Sequence, residues 1–182
     1  MLAQAPAPND TPHAVLPVQH FIKGRQTGGT ECIHRSRDMG CEFATPAIDP
    51  DALVWQRRDP LPMLDVPLEE IVSFLVELGK QLNIDTNDLL RESFAGMCRV
   101  SALGPRILEN CYRDMAFMFE RDVLMAEVGG SLGDPARLDG WVDHSPAGAP
   151  NRLRAFPPRL IHVMAGNAPS VAALTIVRAA LS

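Results

Sequence analysis

A side-chain amide near the carboxyl end of the sequence stands where it could stabilise a developing negative charge. Residues 159–164 (RLIHVM) predict a buried strand, residues 165–169 (AGNAP) a turn, and residues 170–181 an apolar helix. Asn167 follows Gly166, which permits close backbone approach, and precedes Pro169, which suits the start of a helix. In a dry pocket this amide would donate a hydrogen bond to an oxyanion. The alternative is that Asn167 only satisfies local backbone groups, as Asn does in many turns.

A second motif, residues 129–133 (GGSLG), matches the G-x-S-x-G pattern in which Ser131 would be a hydrolase nucleophile. That arrangement requires a strand before the serine and a helix directly after it. Here a predicted helix precedes the serine, and Asp134-Pro135 follows it. We therefore interpret the motif as a helix end followed by a loop.

The four cysteines are weak candidates for chemistry. Cys32, His34 and Cys41 lack the paired ligand spacing of structural zinc sites, and no fourth ligand lies nearby in the sequence. Cys98 and Cys111 fall on predicted apolar helix faces, where a free cysteine behaves as a small hydrophobic residue. Neither stands at a helix amino terminus or beside an evident base, so neither is predicted to be a nucleophile.

Three helices are predicted in front of the candidate turn. The first begins at Pro67, and its apolar residues recur at steps of three and four, which lines one helix face. The second is capped by Asp85 or Thr86, and the third runs over residues 105–128 until Gly129-Gly130 stops it. The residues predicted to face inward are Leu68, Ile71, Leu75, Leu78 and Leu82 in the first helix, Leu89, Leu90, Phe94 and Met97 in the second, and Leu108, Cys111, Met115, Phe119 and Met125 in the third.

The front of the chain has a different character. Residues 1–17 carry four prolines and predict a disordered tail. Residues 18–66 predict short strands and loops, with apolar pieces at 18–22 and 41–44. Residues 67–158 form the predicted helical region, and 159–182 the start of an α/β domain. A strand, a turn and a helix open an α/β unit that needs a second parallel strand, so the fold class is predicted to be α/β and the chain to be truncated.

Composition excludes several classes of protein. With 182 residues and a net charge of −5, the chain has scattered rather than clustered basic residues, which argues against nucleic acid as a partner. No apolar run approaches the roughly 20 residues that span a bilayer, and the amino terminus is not typical of a signal peptide. These observations predict a cytoplasmic protein. There is no G-x-G-x-x-G and no P-loop.

Residues 60–182 resemble the front half of the acyl-CoA reductase family, which contains the fatty-acid reductase subunit of bacterial luminescence systems and belongs to the aldehyde dehydrogenase superfamily. The resemblance rests on residues 67–82, on Leu138-Asp-Gly-Trp141, on Arg154-Ala-Phe-Pro157 and above all on residues 159–178. Ala165-Gly166-Asn167-Ala168-Pro169 would occupy the superfamily's P-W-N-x-P turn. Ala165-Gly166 replaces Pro-Trp there, as is usual in the acyl-CoA reductase branch.

The resemblance implies reduction of a fatty acyl-CoA thioester to an aldehyde with NADPH, through a cysteine acyl-enzyme. Asn167 would be the oxyanion-stabilising amide, and Met164, Ala165 and Gly166 would line the nicotinamide side of the cofactor pocket. The family's nucleophilic cysteine lies downstream of this region, so this polypeptide is expected to be inactive alone. The expected partners are the acyl-CoA substrate and other subunits, either further copies of this chain or a fatty-acid reductase complex. The alternative is a non-catalytic helical interaction module.

Overall fold

The protein is described by a computed structural model, in which two units are distinguished. The described residues are 15–36, 39–54, 56, 58–59, 63–148, 150–156, 162, 164 and 168–181. The first unit contains the described residues up to Gln56 together with Gly96–Ala102, and the second contains those from Arg58 to Ala95 and from Leu103 onward. Among the described residues, no helix has both the length and the apolar character needed to cross a bilayer.

The first unit is built from short strands. β1 (Leu16–Pro17) pairs in parallel with β5 (Glu42–Thr45), which pairs on its other side with antiparallel β4 (Cys32–Arg35). β2 (His20–Ile22) and β3 (Arg25–Thr27) form a separate hairpin. α1 (Pro50–Leu53) is a single turn that follows the strands. The strands predicted near residues 18–22 and 41–44 are therefore confirmed.

The tight turn between β2 and β3 depends on Lys23 and Gly24. Their φ angles are 48° and 77°, in the left-handed region that a two-residue hairpin turn of this hand requires. Glycine adopts this conformation without steric cost, whereas Lys23 does not. The turn brings His20 opposite Thr27, whose Oγ1 donates to the His20 carbonyl at 3.3 Å.

Helices dominate the second unit. α2 (Leu68–Gln81) is followed by α3 (Asp88–Val100), whose last residues belong to the first unit. α4 (Pro105–Asp114), a 3₁₀ helix (Ala116–Phe119) and α5 (Arg121–Leu132) come next. A short α6 (Ala136–Asp139) precedes the hairpin of β6 (Val142–His144) and β7 (Asn151–Leu153), and α7 (Ser170–Ala180) closes the described chain.

The single helix predicted over residues 105–128 is wrong. The chain leaves α4 at Met115, winds as a 3₁₀ helix, and is extended at Glu120 (φ −67°, ψ 137°) before α5 begins. The break turns Phe119 into the core, where it is 1% exposed. Gly129-Gly130 also does not stop the helix. α5 continues to Leu132 and ends at Gly133, whose φ of +75° suits a helix terminus.

The predicted cap of the second helix is also wrong. Asn87 performs this role: its Oδ1 accepts from the backbone N–H of Leu89 at 3.0 Å and of Leu90 at 3.3 Å. Asp85 is instead paired with Arg113 in α4. An Asn at the cap satisfies N–H groups that have no partner inside the helix.

The core of the second unit lies where the helices meet the 3₁₀ helix. This segment contacts α2, α4, α5 and α7. The side chains buried most completely are Val72, Leu75, Leu108, Tyr112, Phe119, Leu124 and Val128. The predicted inward residues Leu68, Ile71, Leu75, Leu108, Met115 and Phe119 are all buried, whereas Leu89 is 75% exposed.

The described residues thus mix helices with three small sheets that are mostly antiparallel. The strand predicted over residues 159–164 falls largely outside the described residues. Of its members, His162 and Met164 are described, and neither lies in a strand. The helix of the predicted first βα unit is therefore observed as α7. The strand of that unit, and with it the Rossmann-like domain, remains a prediction.

Candidate functional site

The predicted oxyanion turn is described only at its edges. Ala165, Gly166 and Asn167 lie outside the described residues, whereas Met164 is described and is 51% exposed. Ala168 and Pro169 lead directly into α7, and their carbonyls accept from the N–H groups of Val171 and Ala172 at 3.1 and 3.0 Å. The helix predicted after the turn is confirmed, and its first turn begins immediately beyond the candidate amide.

α7 is held firmly by the rest of its unit. Ala173, Val177 and Leu181 are buried along one face, and the helix packs against α4 and the 3₁₀ helix. Arg178 Nε donates to Glu127 Oε1 of α5 at 3.2 Å. These contacts fix the position at which the chain leaves the candidate turn.

Arg137 of α6 organises the segment that leads toward the turn. Its Nη1 donates to the Leu132 carbonyl at the end of α5, and its Nη2 lies 3.5 Å from His144 Nδ1. The Arg137 carbonyl accepts from the Ala155 N–H at 2.8 Å. One residue thereby connects α5, the β6–β7 hairpin and the chain just after β7.

A small cavity of about 130 Å³ lies at the amino-terminal end of α2. Asp139 Oδ1 accepts from the Leu68 N–H at 2.7 Å, so this carboxylate from α6 caps α2. Asp65 Oδ1 lies 3.9 Å from Arg154 Nη2 on the same wall. The lining residues are Leu64, Asp65, Val66, Pro67, Leu138, Asp139 and Arg154.

Arg154 also belongs to an aromatic group beside this cavity. Its guanidinium carbon lies 5.3 Å from the centroid of the Phe156 ring, and the Phe156 and Trp141 rings meet edge to face at 6.1 Å. The Nε of Arg154 is buried and donates to no acceptor in the described part of the chain. In the sequence these residues stand out only within the stretches that carry the family resemblance, because nothing local reveals that they converge.

A larger open cavity, about 400 Å³, lies at the other end of α2. It is lined by Gly79, Lys80, Leu82, Asn83, Ile84, Asp85, Arg113 and Ala116. Arg113 donates to both carboxylate oxygens of Asp85, at 2.7 and 3.0 Å, and these bonds lower the pKa of Asp85. Because Arg113 is also bonded to Glu109 at 2.9 Å, its charge is already balanced by protein carboxylates.

The rejected motifs have ordinary structural roles. Ser131 lies inside α5, with no preceding strand. His34 Nε2 lies 3.1 Å from Thr45 Oγ1, and Cys41 Sγ donates to the Arg99 carbonyl at 3.1 Å. Within the described ranges, no group of three or more His, Cys, Asp or Glu residues could hold a metal ion.

The cysteine of α3 gives no sign of an activated thiolate. Cys98 is partly buried, and this burial raises the pKa of its thiol, which disfavours the nucleophilic form. Cys111 is partly buried within α4.

Comparison with known proteins places the chain in a class of enzyme. The family model described as "Acyl-CoA reductase (LuxC)" matches residues 63–182, which include all of the second unit from α2 to α7. The chain therefore belongs to the acyl-CoA reductase (LuxC) family. No curated protein and no solved structure matches it.

Proposed function

We propose that this chain forms the front part of an enzyme that reduces long-chain acyl-CoA to fatty aldehyde with NADPH. The family match over residues 63–182 carries the proposal, because it spans the Ala165–Pro169 turn and α7. The proposal extends to membership of the aldehyde dehydrogenase superfamily, with residues 159–181 as the first βα unit of a Rossmann-like domain.

The proposed reaction requires a hydrogen-bond donor beside the reacting thioester carbonyl. Attack by a cysteine thiolate on the thioester carbonyl forms a carbon–sulfur bond, places negative charge on the oxygen, and then expels the CoA thiolate. The Asn167 amide donates a hydrogen bond to that oxygen while the charge develops. α7 begins three residues later, and a helix amino terminus favours negative charge close to it.

The expected cofactor side of the turn consists of Met164, Ala165 and Gly166. When bound, NADPH supplies the hydride that converts the acyl group into aldehyde. The half-exposed Met164 side chain fits a role as part of a pocket wall, because it is not committed to the core. Gly166 allows a ligand to approach the backbone without meeting a side chain.

The nucleophile is proposed to lie outside these 182 residues. The test is to incubate the native gene product with a long-chain acyl-CoA in the absence of NADPH and to locate the acyl adduct by mass spectrometry after proteolysis. We expect an adduct on a cysteine other than Cys32, Cys41, Cys98 and Cys111. An adduct on any of these four would overturn this part of the proposal, and absence of any adduct would count against the acyl-enzyme.

The role of Asn167 is tested by the Asn167→Ala variant of the native protein. Loss of one oxyanion donor lowers kcat by about a hundredfold to a thousandfold. Asn151→Ala, in the exposed strand β7, is the matched control and should retain full activity. Equal activity of the two variants would show that Asn167 only satisfies local backbone groups. Parallel assays with NADPH and NADH test the choice of cofactor.

A further inference from the structure

Two half-exposed aromatic rings stand at the open end of the β6–β7 hairpin. Trp141 directly precedes β6 and Phe156 follows β7, and pairing of Val142 with Leu153 brings the two residues together. Their rings meet edge to face, with 6.1 Å between centroids and 71° between planes. Trp141 is 52% exposed and Phe156 is 57% exposed, so each ring offers apolar surface to a ligand.

Two arginines flank these rings. Arg154 lies over the Phe156 ring, and Arg152 Nη2 donates to the Trp141 carbonyl at 3.4 Å. We name Trp141, Arg152, Arg154 and Phe156 the aromatic–arginine cluster. A guanidinium held over a ring keeps a fixed orientation, which favours recognition of a planar or bidentate anion.

The carboxylates beside these arginines are held loosely. Asp143 lies 3.4 Å from Arg152, and Asp65 lies 3.9 Å from Arg154. The side chains of the two aspartates are 89% and 90% exposed. Exposed ion pairs of this kind are weak, so both carboxylates can turn into solvent when a stronger anion arrives. Phosphate is such an anion, because arginine binds it through paired, charge-assisted hydrogen bonds.

A ligand that suits this surface combines a flat base with phosphate groups. Bases stack on exposed aromatic side chains, and adjacent guanidinium groups bind the phosphates. We infer that the aromatic–arginine cluster binds the phosphorylated adenosine portion of a nucleotide ligand. The inference rests on the proposed function, in which both the acyl-CoA substrate and NADPH carry such a group. Stacking of the base and binding of the phosphates would be the same for either ligand.

The test uses free coenzyme A and NADP⁺ as separate probes of the full chain. Trp55→Phe leaves Trp141 as the single tryptophan, because the sequence contains two. Stacking of a base on Trp141 is expected to quench its fluorescence in a saturable manner, with an affinity that falls as salt is raised. Tighter binding of coenzyme A would identify the substrate as the ligand, and tighter binding of NADP⁺ would identify the cofactor.

Two variants separate recognition from loss of folding. In this background, Arg154→Lys keeps the charge but loses the planar fork, and Phe156→Leu keeps an apolar side chain but loses the ring. Each is expected to weaken binding by about tenfold or more, while far-UV circular dichroism is unchanged. Arg106→Lys, an exposed position in α4, is the matched control and should bind as the parent does.

The outcomes also separate this inference from the proposed function. Absence of saturable quenching by both probes would overturn the inference, and so would equal affinities of the Arg154→Lys, Phe156→Leu and Arg106→Lys variants. If these variants bind normally while the native protein reduces acyl-CoA, only the inference fails. If binding depends on the cluster while the native protein reduces no acyl-CoA, the proposed reaction fails and the nucleotide site stands.

Discussion

Gly79 of α2 lies directly against Phe119 of the 3₁₀ helix. A Cβ atom at position 79 would overlap the Cβ of Phe119, and the Ala116 carbonyl lies 3.6 Å from the same point. The glycine therefore allows the 3₁₀ helix to approach α2 closely enough to bury Phe119. Helix propensity alone disfavours glycine there by about 1 kcal/mol relative to alanine, so close packing outweighs a local preference.

Gly79→Ala is predicted to destabilise the second unit. The added methyl group meets the first atom of the Phe119 side chain, which cannot rotate away, and overpacking of this kind costs about 1–3 kcal/mol. Gly130→Ala is the matched control, because a Cβ there has no neighbour within 4 Å. It should stabilise α5 by roughly 0.5–1 kcal/mol. Urea denaturation of both variants measures the two changes in the free energy of unfolding, which should have opposite signs. A gain in stability for Gly79→Ala would contradict the proposed close packing.

Asn87→Ala is predicted to weaken α3. The Asn87 side chain accepts from two N–H groups of the first turn, and its Nδ2 donates to the Gln81 carbonyl at 2.7 Å. Loss of such a cap costs about 0.5–2 kcal/mol. Thr86→Ala removes only a long hydrogen bond to the Asn83 carbonyl (3.4 Å) and should have little effect. Thermal unfolding followed by circular dichroism compares the stability of the two variants. A larger loss for Thr86→Ala than for Asn87→Ala would support Thr86 as the cap, as the sequence predicted.

Asp139→Ala is predicted to loosen the amino-terminal end of α2. It removes the acceptor of the Leu68 N–H and a negative charge near a positive helix end, with an expected loss of about 1 kcal/mol. Asp139→Asn keeps an oxygen acceptor and should lose less. Hydrogen exchange of the Leu68 amide gives the site-specific measurement. Equal exchange rates in the parent protein and in Asp139→Ala would show that this cap is unimportant.

The pairing of Asp85 with Arg113 predicts a pH-dependent contribution to stability. The hydrogen bonds from Arg113 lower the pKa of Asp85 in the folded protein below the value of about 3.9 expected when the chain is unfolded. A lowered pKa means that the contribution is fully present above the unfolded pKa and is lost as pH falls through the folded pKa. Arg113→Gln should therefore be less stable than the parent near neutral pH, and this difference should shrink in acid.

The control for that prediction is Arg106→Gln, which removes another exposed arginine from α4. Its stability difference from the parent should not change with pH over the acid range. NMR titration of the Asp85 carboxyl should show a higher pKa in Arg113→Gln than in the parent. An unchanged Asp85 titration would mean that the bonds from Arg113 do not form in solution.

The sequence predicted the elements whose pattern is local. The sequence predicts α2 because apolar residues repeat at helical spacing after Pro67, and it predicts α7 because an apolar run follows a turn that ends at Pro169. Leu75 and Phe119 were assigned to the core for the same reason, and both are buried. Periodic patterns succeed here because one buried stripe is enough to define a helix.

The features that the sequence did not predict depend on distant partners. Leu108, Met115 and Phe119 keep helical spacing across the point where α4 ends. The sequence pattern therefore does not show that the α-helix ends there, and only the packing of Phe119 against Gly79 reveals it. Asp139 caps a helix whose first residue is 71 positions away. No local pattern in the sequence predicts the β6–β7 hairpin, because only Val142 and His144 among its strand residues are even partly buried.

The candidate turn at residues 165–169 could be located in the sequence only through its neighbours. Met164 and α7 are described at its two sides, whereas the role of Asn167 rests on the resemblance and the family. A turn rich in small residues gives no apolar periodicity, so pattern analysis can place it only through its neighbours. The sequence likewise contains the arginine and aromatic residues of the hairpin, but it does not show that they lie close together in space.

The convergence of α2, α4, α5 and α7 on the four residues Ala116–Phe119 has a consequence for how the second unit comes apart. A helix that packs on one neighbour can fray alone, but here each of these four helices would lose contacts with the same short segment. Melting of that segment would weaken the packing of all four helices together. Unfolding of this unit should therefore be a single cooperative event, in which the slow amides of different helices share one free energy of opening.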